Sequence, residues 1–227
     1  MLSGNPLIGR VDWGDLRRTN PFCRDFGSKR GLPVDRYYIE RFLGSESPSI
    51  RGKVLEIGED TYTRRFGGDQ VKSTDVLHVS TDNPMATIVA DLQDAPQIPD
   101  ESFDCVIFAQ TLQYIYRPLA AVRTLHRILR PGGSLLLTVP GITQIASKSQ
   151  WADTWYWSFT AQSVGRLLSE SFSSAKMAIS THGNVLAATA QLQGLAASEL
   201  TSEELGESDP DYQVIIAARA EKDAGSG

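Results

Sequence analysis

Residues 53–68 read KVLEIGEDTYTRRFGG, and they hold a carboxylate, a glycine and a polar turn in one short span. Glu56 sits inside an apolar run, Gly58 ends it, and the turn that follows leads towards a helix. In a doubly wound sheet, that order opens a ligand crevice beyond the carboxyl ends of the strands. The turn is not a dinucleotide loop, because GxGxxG needs further glycines and Glu59, Asp60 and Tyr62 fill the space. A second group is aromatic: Trp151, Trp155 and Trp157, with Tyr156 and Phe159, crowd one loop. Such rings either wall an acceptor site, by stacking on sugars or flat rings, or plug the core beneath a long loop. No His/Cys/Asp spacing suggests a metal, and spacing alone proposes no Ser-His-Asp set.

These residues need a frame. Strands are expected at 54–57, 74–79, 87–90, 103–109, 134–139, 175–181 and 212–218. The fourth, FDCVIFA, and the fifth, SLLLTV, are apolar almost throughout, as strands covered on both faces should be. A short helix is expected at 61–66 and a longer one at 118–130, where Leu119, Val122, Leu125 and Leu129 form a stripe stopped by Pro131-Gly132-Gly133. Thr160 can cap a helix to about residue 170, and 185–200 reads as an apolar helix interrupted by Gly194. Near the N-terminus, Asp35 can cap a helix carrying Tyr38, Ile39, Phe42 and Leu43, with Gly44 at its end. Alternation of strand and helix predicts an α/β fold with a doubly wound, mostly parallel sheet. The expected division is an N-terminal cap at 1–50, a main domain at 51–220 and a disordered tail at 221–227.

Composition narrows the partners. A chain of 227 residues with 41% hydrophobic and 22% charged residues is an ordinary globular protein, large enough for a full core. Its net charge of −5 argues against a phosphate-backbone binder, so no nucleic-acid partner is expected. Cys23 and Cys105 imply no disulfide framework, and Cys105 reads as a small buried hydrophobe. With no signal pattern and no run of ~20 apolar residues, a cytoplasmic protein without membrane contact is expected.

The features fall in a fixed order: the strand with Glu56 and Gly58, a strand with Asp75, a strand ending at Asp91, then DESFDCVIFAQTLQYI and LHRILRPGGSLLLTVPG. That order resembles class I S-adenosylmethionine-dependent methyltransferases of the type 11 group. The flanks RGLPVDRYYIERFL and GNVLAATAQLQGLAASEL are similar to a bacterial subgroup found beside glycosyltransferase and polysaccharide genes. The resemblance implies a seven-stranded Rossmann-like methyltransferase sheet, with an N-terminal helical cap and a helical insertion before the last strand.

It also implies roles. Glu56 and Gly58 match the motif beneath the methionine part of S-adenosylmethionine. Asp75 matches the carboxylate that grips the ribose hydroxyls, at the ~20-residue spacing expected for such a group, with Asp82 and His78 as alternatives in a neighbouring register. Asp91 and Leu92 match the pair at the adenine amino group, and Gln110 and Thr111 fall where the fourth strand lines the sulfonium side. The loop departs from the family's three glycines and keeps Gly58 alone. Asp60 at ~5 Å from the cofactor's own carboxylate would cost roughly 3 kcal/mol at an effective dielectric of 20, unless Arg64 or Arg65 neutralises it.

Methyl transfer to a hydroxyl needs a base near its proton. Asp153, in the tryptophan loop, is the first candidate and His182 the second, while His126 reads as a core-edge residue. The implied activity is methylation of a small-molecule or saccharide-linked acceptor, oxygen-directed, by a protein for which a homo-oligomer stays open. The rival of a different class is a cofactor-free relative kept as a binding or assembly module. A nicotinamide oxidoreductase is disfavoured by the missing GxGxxG.

Overall fold

Seven strands make one sheet in the order β3-β2-β1-β4-β5-β7-β6. They are β1 Gly52–Ile57, β2 Val71–His78, β3 Ile88–Val89, β4 Phe103–Ala109, β5 Leu129–Pro140, β6 Met177–His182 and β7 Ile215–Glu221. β7 runs antiparallel to both β5 and β6, and every other pair is parallel. The structure is a computed structural model that describes residues 6–147 and 152–224. Trp151 and the last residues of the expected tail, 225–227, lie outside the described residues.

The helices are α1 Val34–Ser45, α2 Thr61–Phe66, α3 Pro118–Ile128, α4 Ala161–Ser169, α5 Val185–Gln193 and α6 Ser202–Gly206. Side chains alternate across each strand, so the central ones feed two cores. Leu55, Val106 and Phe108 pack with Val122, Leu125 and Val164 of α3 and α4. Val54, Cys105 and Ile107 pack on the other face with Ile39, Leu43 and Ala187 of α1 and α5. A small cysteine buried between strand and helix behaves as a hydrophobe, and burial pushes the Cys105 thiol pKa up.

Several expected boundaries move. Pro33, not Asp35, precedes the first turn of α1, and Gly44 lies inside that helix. α3 ends at Ile128, ahead of Pro131-Gly132-Gly133, because Leu129 already pairs with Phe103. The Pro-Gly-Gly turn is instead an irregularity within β5, with Gly132 at φ 75°. The helix expected at 185–200 stops at Gln193: Gly194 takes the left-handed conformation at φ 66°, and its N–H returns to the helix carbonyls. β7 starts three residues later than expected and runs past residue 220. Glu221 pairs with Ser134, and the Lys222 ammonium donates to the Leu129 carbonyl at 2.8 Å. Thr160 does cap α4, accepting from the Ser163 N–H in a reciprocal box.

Residues 20–33 form a strap laid on the end of α5. The N–H groups of Phe22 and Cys23 donate to the Gln193 carbonyl, and the Ala197 N–H donates to the Leu32 carbonyl at 2.7 Å. A Cβ added to Gly194 would overlap the Cys23 carbonyl, and one added to Gly27 would run into the Leu195 carbonyl. Arg30 and Glu199 close the far end with a two-pronged ion pair.

Candidate active site

The strand order reverses between β1 and β4, so the loops after Ile57 and Ala109 diverge and leave a crevice. Two chambers occupy it and share Arg36, Ile57, Glu59, Ala109, Gln110 and Tyr114 as a common wall. The first, of about 790 Å³, extends over the ends of β1 and β2 past Gly58, His78, Asp91, Leu92 and Thr111. The second, of about 740 Å³, lies beneath the strap and α1 and takes in Asp35, Tyr62, Gln113 and Trp155.

Gly58 is the hinge of the first chamber. It sits at φ 83°, its N–H donates to the Leu77 carbonyl at 2.9 Å, and a Cβ added there would meet open space. The Asn83 amide donates to the Gly58 carbonyl at 2.6 Å and ties the β2–β3 loop to that turn. The residues at the expected second and third glycines do not need glycine's freedom. Asp60 has φ −114°, and Tyr62 lies in the first turn of α2 as a buried ring stacked on Phe66. Arg64 lies 3.1 Å from the Asp60 carboxylate, while Arg65 is engaged with Glu40. Of the two cations proposed to offset Asp60, Arg64 is the one in place.

Glu56 is buried, and its carboxylate is already occupied. It accepts from the Tyr62 N–H at 3.0 Å, the Thr63 N–H at 2.7 Å and the Thr63 hydroxyl at 2.7 Å. Burial raises its pKa against the pull of those bonds. Its observed work is to pin the first turn of α2 to β1, from a position on the wall of the second chamber.

The other expected residues divide cleanly. Asp91, Leu92, Gln110 and Thr111 line the first chamber with Gly58. Asp91 accepts from the Gln93 N–H at 2.8 Å, which shapes the turn that holds it there. Gln110 adopts φ 46°, a left-handed conformation uncommon for its type. Asp75 lines neither chamber. It lies mid-strand opposite Leu55, bonded to the Lys53 ammonium at 2.9 Å and the Thr87 hydroxyl at 2.7 Å. Burial works to raise its pKa, but those two partners hold it below the usual carboxylate range. Of the alternatives in the neighbouring register, His78 lies at the end of β2 on the chamber wall, while Asp82 is exposed and accepts from the Ser80 hydroxyl.

The two candidate bases lie off the crevice. Asp153 is exposed in a short turn whose neighbours Thr154 and Trp155 face the chambers. His182 ends β6 at the far edge of the sheet, stacked on Tyr38 at 5.7 Å, with its pKa lowered by burial. His126 sits edge-on to Phe172 at 4.9 Å and fits the core-edge reading. The aromatic loop serves both expected ends. Phe159 is buried in the core, Trp157 donates to the Ile115 carbonyl at 3.0 Å, and Trp155 and Tyr156 face the chambers. Sequence reasoning passed over Gln113, Tyr114 and the strap, because no local pattern distinguishes them from packing residues. Among the described residues no helix is long and apolar enough to cross a membrane, and no cluster could hold a metal ion.

Known proteins share this fold. Residues 64–137, less than half of the chain, match a family model described as a methyltransferase domain. No curated protein sequence matches the chain. Among solved structures, a SAM-dependent methyltransferase from Archaeoglobus fulgidus superposes with a TM-score of 0.55 at 13% identity, over 82% of this chain and 94% of that one. The [4+2]-cyclase SpnF gives 0.54 at 18% identity, over 83% and 81%. Phosphoethanolamine N-methyltransferase 2 of Haemonchus contortus, in complex with S-adenosyl-L-methionine, gives 0.53 at 13% identity, over 88% of this chain and 60% of that one. Identities this low speak to fold alone, and on that count the seven-stranded sheet is the Rossmann-like methyltransferase fold.

Proposed function

We propose that the protein is an S-adenosylmethionine-dependent methyltransferase acting on a small-molecule or saccharide-linked acceptor, with oxygen as the methylated atom. The observation that carries the reading is the first chamber. Five residues that the family resemblance assigned to the cofactor (Gly58, Asp91, Leu92, Gln110 and Thr111) meet there, at the switch point of a methyltransferase fold. The matched family segment contributes four of these five from its own span.

The chamber's chemistry suits the ligand. Leu77, Leu92 and Ile115 offer an apolar bed for a flat base, with the Asp91 carboxylate beside it as acceptor for an exocyclic amine. The bare Cα of Gly58 lets a ligand approach the β1 turn closely. Arg64 offsets Asp60, so the loop's acid is no longer an unopposed repulsion towards a bound carboxylate. The bound group would supply an activated methyl. The protein's part is to hold the acceptor in line where the two chambers adjoin, beside Ala109, Gln110 and Tyr114, so that the accepting atom touches the methyl group directly. The oxygen-directed reading draws support from Asp35 and Glu59, carboxylates on the second chamber that can receive a hydroxyl proton.

SpnF carries the same fold and is a [4+2]-cyclase, so fold alone does not name a reaction. Calorimetry with S-adenosylmethionine, its demethylated product and NAD separates the readings. Heat with both sulfur compounds and none with NAD is the expected result. Silence with both sulfur compounds at ~1 mM would overturn the enzyme reading.

A further inference from the structure

We propose that the second chamber binds a neutral, hydroxyl-rich ring, and that the amide oxygens of Gln113 and Gln144 and the indole N–H of Trp155 are the groups that read its hydroxyls. Only the word "acceptor" for that ligand rests on the methyltransferase reading. The binding claim stands on the chamber.

All three side chains line the same space, and all three of these polar atoms are buried without a hydrogen-bond partner. Gln113 is 1% exposed, and its amide nitrogen donates to the Gln110 carbonyl at 2.9 Å. Its orientation is therefore set, and the oxygen is the end left over. A buried polar atom without a partner costs about 1–3 kcal/mol, and native proteins tolerate few of them. Three converging on one cavity mark the chemistry of what fills it.

The set comprises two acceptors and one donor. A phosphate or carboxylate brings acceptors only and would leave both glutamines unsatisfied. An ammonium brings donors only and would leave Trp155 unsatisfied. Hydroxyl groups do both, so a polyol ring can answer all three atoms at once. Charge agrees. Asp25, Asp35, Glu56 and Glu59 outnumber Arg24 and Arg36 on the lining, which disfavours an anion. Shape agrees as well: Trp155 lies parallel to Phe26 and edge-on to Tyr114 at 5.3 Å, an aromatic corner of the kind that packs against the C–H face of a pyranose.

The test is saturation-transfer NMR on the full chain with the demethylated cofactor present, using methyl hexopyranosides, hexose 6-phosphates and an alkylamine as probes. At least one methyl hexopyranoside should bind at ~1–10 mM, with the charged probes silent. Trp155→Phe keeps an aromatic side chain but removes the N–H along with part of the stacking surface, and Gln144→Met removes the amide. Each should weaken binding about fivefold to tenfold while the affinity for the demethylated cofactor stays unchanged. Binding by no hexopyranoside, by the charged probes alone, or equally by both variants would overturn the proposal, since ordered water then satisfies the three atoms. Hexopyranoside binding without any cofactor heat would support the chamber and count against the methyltransferase reading, so the two can fail separately.

Discussion

At the scale of single residues, Asp75 and Asp91 make the sharpest contrast. The resemblance assigned both carboxylates to the cofactor, yet Asp75 lies mid-strand and only Asp91 lines the first chamber. Asp75→Ala should leave affinity for the demethylated cofactor unchanged and cost about 0.5–1.5 kcal/mol of stability, the value of a half-exposed ion pair and one hydrogen bond. Asp91→Ala should weaken cofactor binding about tenfold with little change in stability. Calorimetry and thermal unfolding on the two variants check both, and the reverse pattern would restore the ribose role to Asp75. Gly58→Ala combines a left-handed alanine, at about 1–2 kcal/mol, with a methyl group aimed into the chamber, so stability and cofactor affinity should fall together.

Among the elements, legibility followed local determination. β4 at Phe103–Ala109 and α2 at Thr61–Phe66 lie where the sequence placed them, because an apolar run between charged turns and a short polar helix each carry their own boundaries. β2 did not, and the site assignment suffered for it. Period-two alternation says which face a side chain takes, not where the strand ends. A strand that begins at Val71 and ends at His78 leaves Asp75 inside the sheet, and pairing with β1 decides that, not residue type. The Pro-Gly-Gly turn misled for a related reason. It stands where a helix stop is expected, but the partner strand had already claimed Leu129. Glu56→Gln tests the β1–α2 connection. An amide cannot accept at both ends, so one of the donors on Tyr62 and Thr63 is orphaned, and unfolding should come about 1–3 kcal/mol sooner by denaturant titration.

For the molecule as a whole, half of the crevice was invisible in the sequence because the strap that walls it is placed by tertiary contact. Phe22, Cys23 and Arg30 meet partners more than a hundred residues away, and no local signal points there. The clasp also titrates. Arg30, with help from the Ala196 N–H, holds the Glu199 carboxyl down at about 2. A carboxylate with a depressed folded-state pKa stabilises above its ordinary value of 4.5 and loses that contribution as pH falls towards 2. Hydrogen-exchange protection at Phe22, Cys23 and Ala197 should therefore drop in that window before the sheet unfolds, and Arg30→Leu should abolish the drop. The pair is partly exposed, so salt should mimic acid in part.

The seam between strap and α5 has a further consequence. At its closest points it is backbone against backbone, with Gly27 over the Leu195 carbonyl and Gly194 over the Cys23 carbonyl. Gly194→Ala should therefore be among the most damaging changes in the protein, since it combines steric overlap with a left-handed alanine. The other strap side chains that face the second chamber, Arg24, Asp25, Phe26 and Ser28, take no part in that closest contact. The strap thus behaves as an exchangeable cassette: its ligand-facing letters can be rewritten to suit a different guest while two glycines keep the latch shut.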